Sequence, residues 1–262
     1  FEKSRGLGGR LATRRTEHGA FDHGAPGFTA EDARFRRYVE AWAERGLLAP
    51  WRPDGERGAP WWVAVPGMSA LGRALAADVD QRRPCRIARV AREGDGWRLT
   101  DEAGAEQGRF DAVVVATPSP QAVPLLADAP ELAAAAGRAV MAPCWTGLFD
   151  FDAPLPLADR VEPATGPLAA LVRNGTKPGR DGGESWVVHA NSDWSRKHLE
   201  EDADTIVQAL LAAFAAAVEG DPPPPRYARA HRWRYARVET PVGAPCLFDR
   251  AGLVAACGDW CL

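Results

Sequence analysis

Little in this sequence points to nucleic acid, to a membrane or to a metal. Only Lys3, Lys177 and Lys197 are lysines, and the 32 basic residues are outnumbered by 35 acidic ones, for a formal net charge of −3. A dedicated nucleic-acid binder would carry a basic excess. Arginine makes up the rest of the basic set beside abundant alanine, which reads as high-GC coding bias rather than as a phosphate-binding surface. No apolar run approaches the roughly 18–20 residues that span a bilayer. No signal or transit segment opens the chain, so the expectation is a soluble, cytoplasmic protein. Cysteine is sparse: Cys85, Cys144, Cys246, Cys257 and Cys261 are odd in number and contain no Cys-x-x-Cys. Free thiols in a reducing compartment are the simple reading. No His or Cys pair completes a tetrahedral set beside Cys257 and Cys261, so no metal is expected.

What is present is the pattern of a mixed α/β protein. The length, 262 residues, suits one large domain or two modest ones. Residues 1–28 are rich in glycine and arginine and read as a strand end followed by a long loop. Residues 29–46 read as a helix capped by Thr29 and ended by Gly46, with Phe35, Tyr38, Val39 and Trp42 on one face. Residues 50–62 are Pro/Trp-rich and read as irregular. Residues 63–65 read as a short strand, and a helix follows from Ser69. Residues 86–91 and 96–100 read as a hairpin turning at 93–96. Residues 110–116 form a continuous apolar run, the pattern of a strand buried on both faces. Residues 145–151 and 185–190 read as strands. Residues 199–218 give the longest helix, with Ile206, Leu210, Phe214 and Val218 on one stripe and Asp193-Trp194-Ser195 leading into it. Trp233 and Tyr235, two residues apart, share one face of a further strand. Residues 253–256 read as a buried strand entering Gly258-Asp259.

The chemistry concentrates at the two ends. Glu2 at a strand end, then Arg5, then Gly8-Gly9-Arg10, forms a cluster suited to a dinucleotide. An acidic residue at the end of the second strand of such a unit binds ribose hydroxyls. Gly8 and Gly9 let backbone approach a pyrophosphate, and Arg10 supplies charge to the phosphates. The Gly-x-Gly-x-x-Gly fingerprint that precedes this acidic residue in a βαβ unit is not in the chain, and both ends read as cut. Lys177 stands out because lysines are few. His189, in an apolar strand, reads as a hydrogen-bonded core residue. Ser195 and His198 have no acid partner or nucleophile elbow for hydrolysis.

These residues carry a resemblance. Residues 1–10, Phe-Glu-Lys-Ser-Arg-Gly-Leu-Gly-Gly-Arg, resemble the segment after the fingerprint in the FAD-dependent amine oxidase superfamily, and the rest of the chain resembles its renalase-like branch. Asp22-His23-Gly24-Ala25 is similar to that family's Asp-x-Gly-Ala, and Val65-Pro66-Gly67-Met68-Ser69 to its Pro-Gly-Gly-Met-Ser. Asn174-Gly175-Thr176-Lys177 is similar to an Asn-x-x-Lys region, Arg232-Trp233-Arg234-Tyr235 to a Trp-Arg-containing strand, and Cys257-Gly258-Asp259 to a Gly-Asp motif. The matches occur in family order along nearly the whole chain.

The resemblance implies non-covalent FAD in a Rossmann-like domain (1–30, 64–120 and 243–262) interleaved with a sheet-based substrate domain (31–63 and 121–242), truncated at both ends. It implies cofactor contacts from Glu2, Lys3, Arg5, Gly8, Gly9, Arg10, Gly24, Ala25, Pro26, Gly27, Ile87, Thr117, Gly258 and Asp259. Lys177, Trp233 and Tyr235 become the candidate catalytic residues, with Trp233 and Tyr235 as pocket walls. Position 27 is glycine where relatives often carry an aromatic, which leaves the ring contacts of this loop open. The activity implied is hydride transfer from a small molecule, of dihydronicotinamide dinucleotide type, to FAD with reoxidation by oxygen. An amine oxidase and a cofactor-free binding module stand as alternatives.

Overall fold

The computed structural model describes residues 1–53, 55, 59–218 and 222–262. Along the chain come β1 (Thr13–Thr16), β2 (Gly19–Asp22), α1 (Ala33–Glu44), β3 (Leu48–Trp51), β4 (Trp61–Ala64) and α2 (Ser69–Leu75). Next are β5 (Ile87–Glu93), β6 (Gly96–Asp101), β7 (Glu106–Phe110), β8 (Val113–Val115), α3 (Ser119–Leu125), α4 (Pro130–Ala136), β9 (Val140–Phe151), β10 (Arg160–Val161) and β11 (Leu168–Arg173). The last are β12 (Glu184–Ala190), α5 (Ser192–Lys197), α6 (Ala203–Ala217), β13 (Tyr227–Thr240), β14 (Leu247–Asp249) and β15 (Val254–Ala256). The protein is thus mixed α/β, and it divides into two compact units.

The first unit comprises Phe1–Arg5, Asp80–Ala142 and Tyr235–Leu262. It holds an antiparallel sheet in the order β5-β6-β7 and a mixed sheet in the order β14-β15-β8, in which β15 and β8 run parallel. The β5–β6 hairpin turns through Gly94 and Asp95, with Glu93 paired to Gly96, and Gly94 takes the positive φ (+62°) that the tight turn demands. Val90, Trp97, Leu99, Val115, Leu126, Leu132, Val254 and Trp260 share one core. Trp97 is buried with its indole N–H satisfied, donating to Gly252 O at 2.8 Å. The apolar run 110–116 is divided between the end of β7 and β8, and it is not buried on both faces. Val113 and Val115 point to the core, while Val114 is 64% exposed. The alternation of a three-residue strand at a sheet edge accounts for this correction.

The second unit comprises Gly6–Val79 and Pro143–Arg234. Its main sheet has the order β10-β11-β12-β9-β13. Helix α6 covers it, burying Ile206, Val207, Leu210 and Phe214. The Phe214 ring stacks on Phe151 (centroids 5.5 Å apart) and meets Phe149 and Trp186 edge-on. Asp202 caps this helix, accepting from the Asp204 and Thr205 N–H groups, so it starts at 203 rather than 199, and Asp193-Trp194-Ser195 belongs to the separate helix α5. Helix α1 likewise starts at Ala33, because Asp32 and not Thr29 accepts the Arg34 and Phe35 N–H groups. Tyr38, expected on its buried face, is 63% exposed; Val39 carries the contact instead. Two further expectations are corrected. Residues 13–22 form the β1–β2 hairpin in place of a loop. The Pro/Trp-rich stretch contributes to the β3–β4 pair, in which Trp51 lies opposite Trp61; its residues 54 and 56–58 lie outside the described ones.

Candidate cofactor and substrate site

The candidate residues fall into two sets, one in each unit. In the first unit, Glu2 is held in an extended rung: its N–H donates to Arg82 O (3.0 Å) and its carbonyl accepts from Cys85 N (2.8 Å). Its carboxylate Oε1 accepts from Ser4 N at 2.7 Å. Lys3 Nζ reaches Gln121 on α3, and the Arg5 carbonyl accepts from the Arg83 guanidinium. Ile87 opens β5 against the core. The parallel strands β8 and β15 run on to Thr117 and Gly258 at their carboxyl ends, the edge where open α/β sheets take ligands. Trp260 Nε1 donates to Thr117 O at 3.0 Å. Its indole lies so close to Gly258 that a Cβ there would come within 2.5 Å of Nε1. Asp259 opens the turn that carries Trp260. Beside this edge the hydroxyls of Thr117 and Ser119 are buried, yet among the described residues neither finds a hydrogen-bond partner. A buried hydroxyl without a partner costs about 1–3 kcal/mol. The donor set therefore fits a ligand that is rich in acceptors and donors, as a flavin dinucleotide is. Tyr235 is half-buried on β13.

The second unit gathers Gly8, Gly9, Arg10, Gly24–Gly27, Lys177 and Trp233 around the end of β2. Gly8 packs on α2 so tightly that a Cβ at Gly72 would lie 2.7 Å from Gly8 Cα. Arg10 O accepts from Ala25 N at 2.8 Å, and a Cβ at Gly24 would sit 1.9 Å from that same oxygen. Glycine at 24 is thus required by the protein's own backbone. Pro26 and Gly27 follow, with Gly27 close against Trp61, Trp62 and Val63. His189 Nε2 bonds Gly24 O at 2.9 Å, the hydrogen-bonded role expected of it.

Asp22, fully buried, anchors this loop. Its Oδ1 accepts from Thr13 Oγ1 (2.7 Å) and Met68 N (2.9 Å). Its Oδ2 accepts from Lys177 Nζ (3.3 Å) and from the Arg180 guanidinium. Lys177 Nζ also donates to Asn174 Oδ1 (3.1 Å) and lies 5.6 Å from the Trp51 ring centre. Both cations have side chains at most 2% exposed. Burial raises the Asp22 carboxyl, but Lys177 and Arg180 outweigh it and hold the group below the ordinary carboxylate range. Burial lowers Lys177 to about 8, against the pull of Asp22 and with the help of Arg180. Lys177, expected near the reacting atoms, is therefore engaged in an ion-paired cluster.

Trp233 Nε1 donates to His23 O at 2.9 Å. The His23 and His231 rings meet edge-on (4.7 Å), and each contacts Trp233 (5.3 and 4.5 Å). Burial, followed by the charge of Arg14 on His23 and of His23 and Arg14 on His231, lowers both imidazoles to about 4. Around neutral pH this is an uncharged aromatic wall. Nothing local marks Arg180 or His231, since their partners lie 158 and 208 positions away, at Asp22 and His23.

Residues 47–246 match the family described as flavin containing amine oxidoreductase. Among solved structures, the chain is similar to a proposed protoporphyrinogen oxidase from Exiguobacterium sp. 255-15 (20% identity, TM-score 0.53, covering 74% of this chain and 44% of that one). It is also similar to a redesigned putrescine oxidase (13% identity, TM-score 0.53, covering 77% and 49%). An oxidoreductase from Methanosarcina mazei matches at 13% identity with a TM-score of 0.52, covering 78% and 51%. The fold is shared over about three quarters of this chain, which spans about half the length of those structures. No helix among the described residues is long and apolar enough to cross a membrane.

Proposed function

The chain belongs to the flavin containing amine oxidoreductase family, and from that premise we propose that it serves a flavin-dependent oxidoreductase of renalase-like specificity, acting on a reduced dihydronicotinamide dinucleotide. The observation that carries the cofactor reading is the pair of buried, partnerless hydroxyls of Thr117 and Ser119 at the carboxyl end of β8, beside Gly258. FAD supplies the acceptor for a hydride leaving the substrate, with dioxygen as the final oxidant.

In this reading the Glu2 carboxylate takes ribose hydroxyls, with Lys3 and Arg5 beside it and the Ile87 backbone at the adenine. Gly8, Gly9 and Arg10 take the phosphates, Thr117, Gly258 and Asp259 the ribityl side, and Gly24, Ala25, Pro26 and Gly27 the ring. Residues 1–30, 64–120 and 243–262 serve the cofactor, and residues 31–63 and 121–242 serve the substrate. Lys177 acts by holding Asp22, and Trp233 by holding the His23 carbonyl, so the backbone entering Gly24 is gripped by both. Trp233 and Tyr235 supply flat apolar walls that exclude water.

The test uses the full-length protein. It should carry an oxidised flavin spectrum that bleaches anaerobically with dihydronicotinamides and not with amines; bleaching by amines alone overturns the substrate. Thr117→Val should loosen flavin retention while leaving the flavin-free protein as stable or more so. Unchanged retention would remove Thr117 from the cofactor site.

A further inference from the structure

In the sheet β14-β15-β8, one cysteine stands immediately before β14 and another immediately after β15. The antiparallel register pairs Leu247 with Ala256, Phe248 with Ala255 and Asp249 with Val254. Extended by one rung, it sets Cys246 against Cys257. The type of rung follows from the other neighbour. Cys257 N–H donates to Val115 O on β8 (3.1 Å), and Val113 N–H donates to Leu253 O. Residues 253, 255 and 257 thus turn their backbone polar groups toward β8 and away from β14. The Cys246–Cys257 rung is therefore non-hydrogen-bonded, the kind in which Cα atoms lie about 4.5 Å apart and side chains approach most closely. That separation falls within the range of roughly 4.4–6.8 Å that a disulfide spans. By alternation both side chains leave the sheet on the face of Phe248 and Val114, which are 57% and 64% exposed. Both thiols are free; Cys246 is exposed and Cys257 half-buried.

We propose that Cys246 and Cys257 form an oxidation site that closes to a disulfide with hydrogen peroxide as the oxidant. The exposed Cys246 sulfur attacks the peroxide O–O bond, is oxidised to the sulfenic acid and releases one water. The Cys257 sulfur then attacks that sulfur, forming the S–S bond and releasing a second water; the two thiol protons leave in the two waters. One peroxide is reduced for two thiols oxidised. Cys261 is the rival partner, four residues beyond Cys257 in the following turn. It is fully buried in the core, away from the exposed face that carries Phe248 and Val114. The bridge pins the backbone immediately before Gly258.

The experiment adds hydrogen peroxide to the full-length protein, so it does not depend on any turnover of the enzyme, then alkylates and maps peptides without reduction. The expected result is a linked peptide joining Cys246 to Cys257, lighter by two hydrogens and split by dithiothreitol. Cys246→Ser, at an exposed position, should abolish the link. Recovery of both residues as alkylated thiols after peroxide, or a link from Cys246 to Cys261 or to a second chain, overturns the proposal.

Discussion

Acidification from pH 7 to 5 should weaken the second unit through His23 and His231. His23 is 6% exposed, and both imidazoles titrate near 4 in the fold against an ordinary 6.5. Burial is the main cause for each. The Arg14 charge adds to it, and for His231 so does its neighbour His23; Asp22 and the carbonyls of Phe21 and Ala12 pull His23 the other way and are outweighed. Between pH 6.5 and 4 the unfolded chain binds protons that the folded chain refuses, so stability rises with pH through this window. It is complete above the unfolded value and is lost as pH falls. A depression of this size makes each imidazole cost about 2 kcal/mol between pH 7 and 5. Carboxylates titrate mainly below this range. Urea midpoints at pH 7 and 5 provide the assay. His231→Phe keeps an aromatic ring against His23 and Trp233 and should remove about half of the acid sensitivity. An acid shift of the same size in the variant and the parent would refute the argument.

The buried ion cluster makes an asymmetric prediction. Asp22→Asn leaves Lys177 and Arg180 together without a counter-charge and should cost about 3–5 kcal/mol. Lys177→Met leaves Asp22 still paired with Arg180 and should cost visibly less in the same denaturation series; the reverse order would show that Lys177, not Asp22, anchors the loop. Gly24→Ala should be destabilising by about 3 kcal/mol or more, because its Cβ would meet Arg10 O at 1.9 Å. Gly183→Ala, where a Cβ meets nothing within 4 Å, is the control and should leave the midpoint nearly unchanged.

Some of this molecule is legible in the sequence alone. The stripe of Ile206, Leu210 and Phe214, the stop at Gly46, the start at Ser69 and the turn near Gly94 all depend on neighbours a few positions away. Side-chain periodicity and the φ freedom of glycine write such features locally. Helix starts were less legible: Thr29 and Asp32 both suit a cap, and only the chain's approach to α1 selects Asp32. The ordered motifs also pointed to the family, because the residue types at 22–25, 65–69, 174–177 and 257–259 recur in a fixed sequence.

Tertiary structure alone decided the rest. Val114 has the composition of a doubly buried strand, but its exposure depends on which strands flank β8. Asp22 meets Lys177 and Arg180 across more than 150 residues, and no local pattern records that a lysine in a Gly-Thr-Lys-Pro turn will be buried. The same holds for His23 beside His231. Periodicity fixes which face a side chain takes; register and chain closure fix what that face meets, because they are set by the sum of all packing contacts rather than by any one segment.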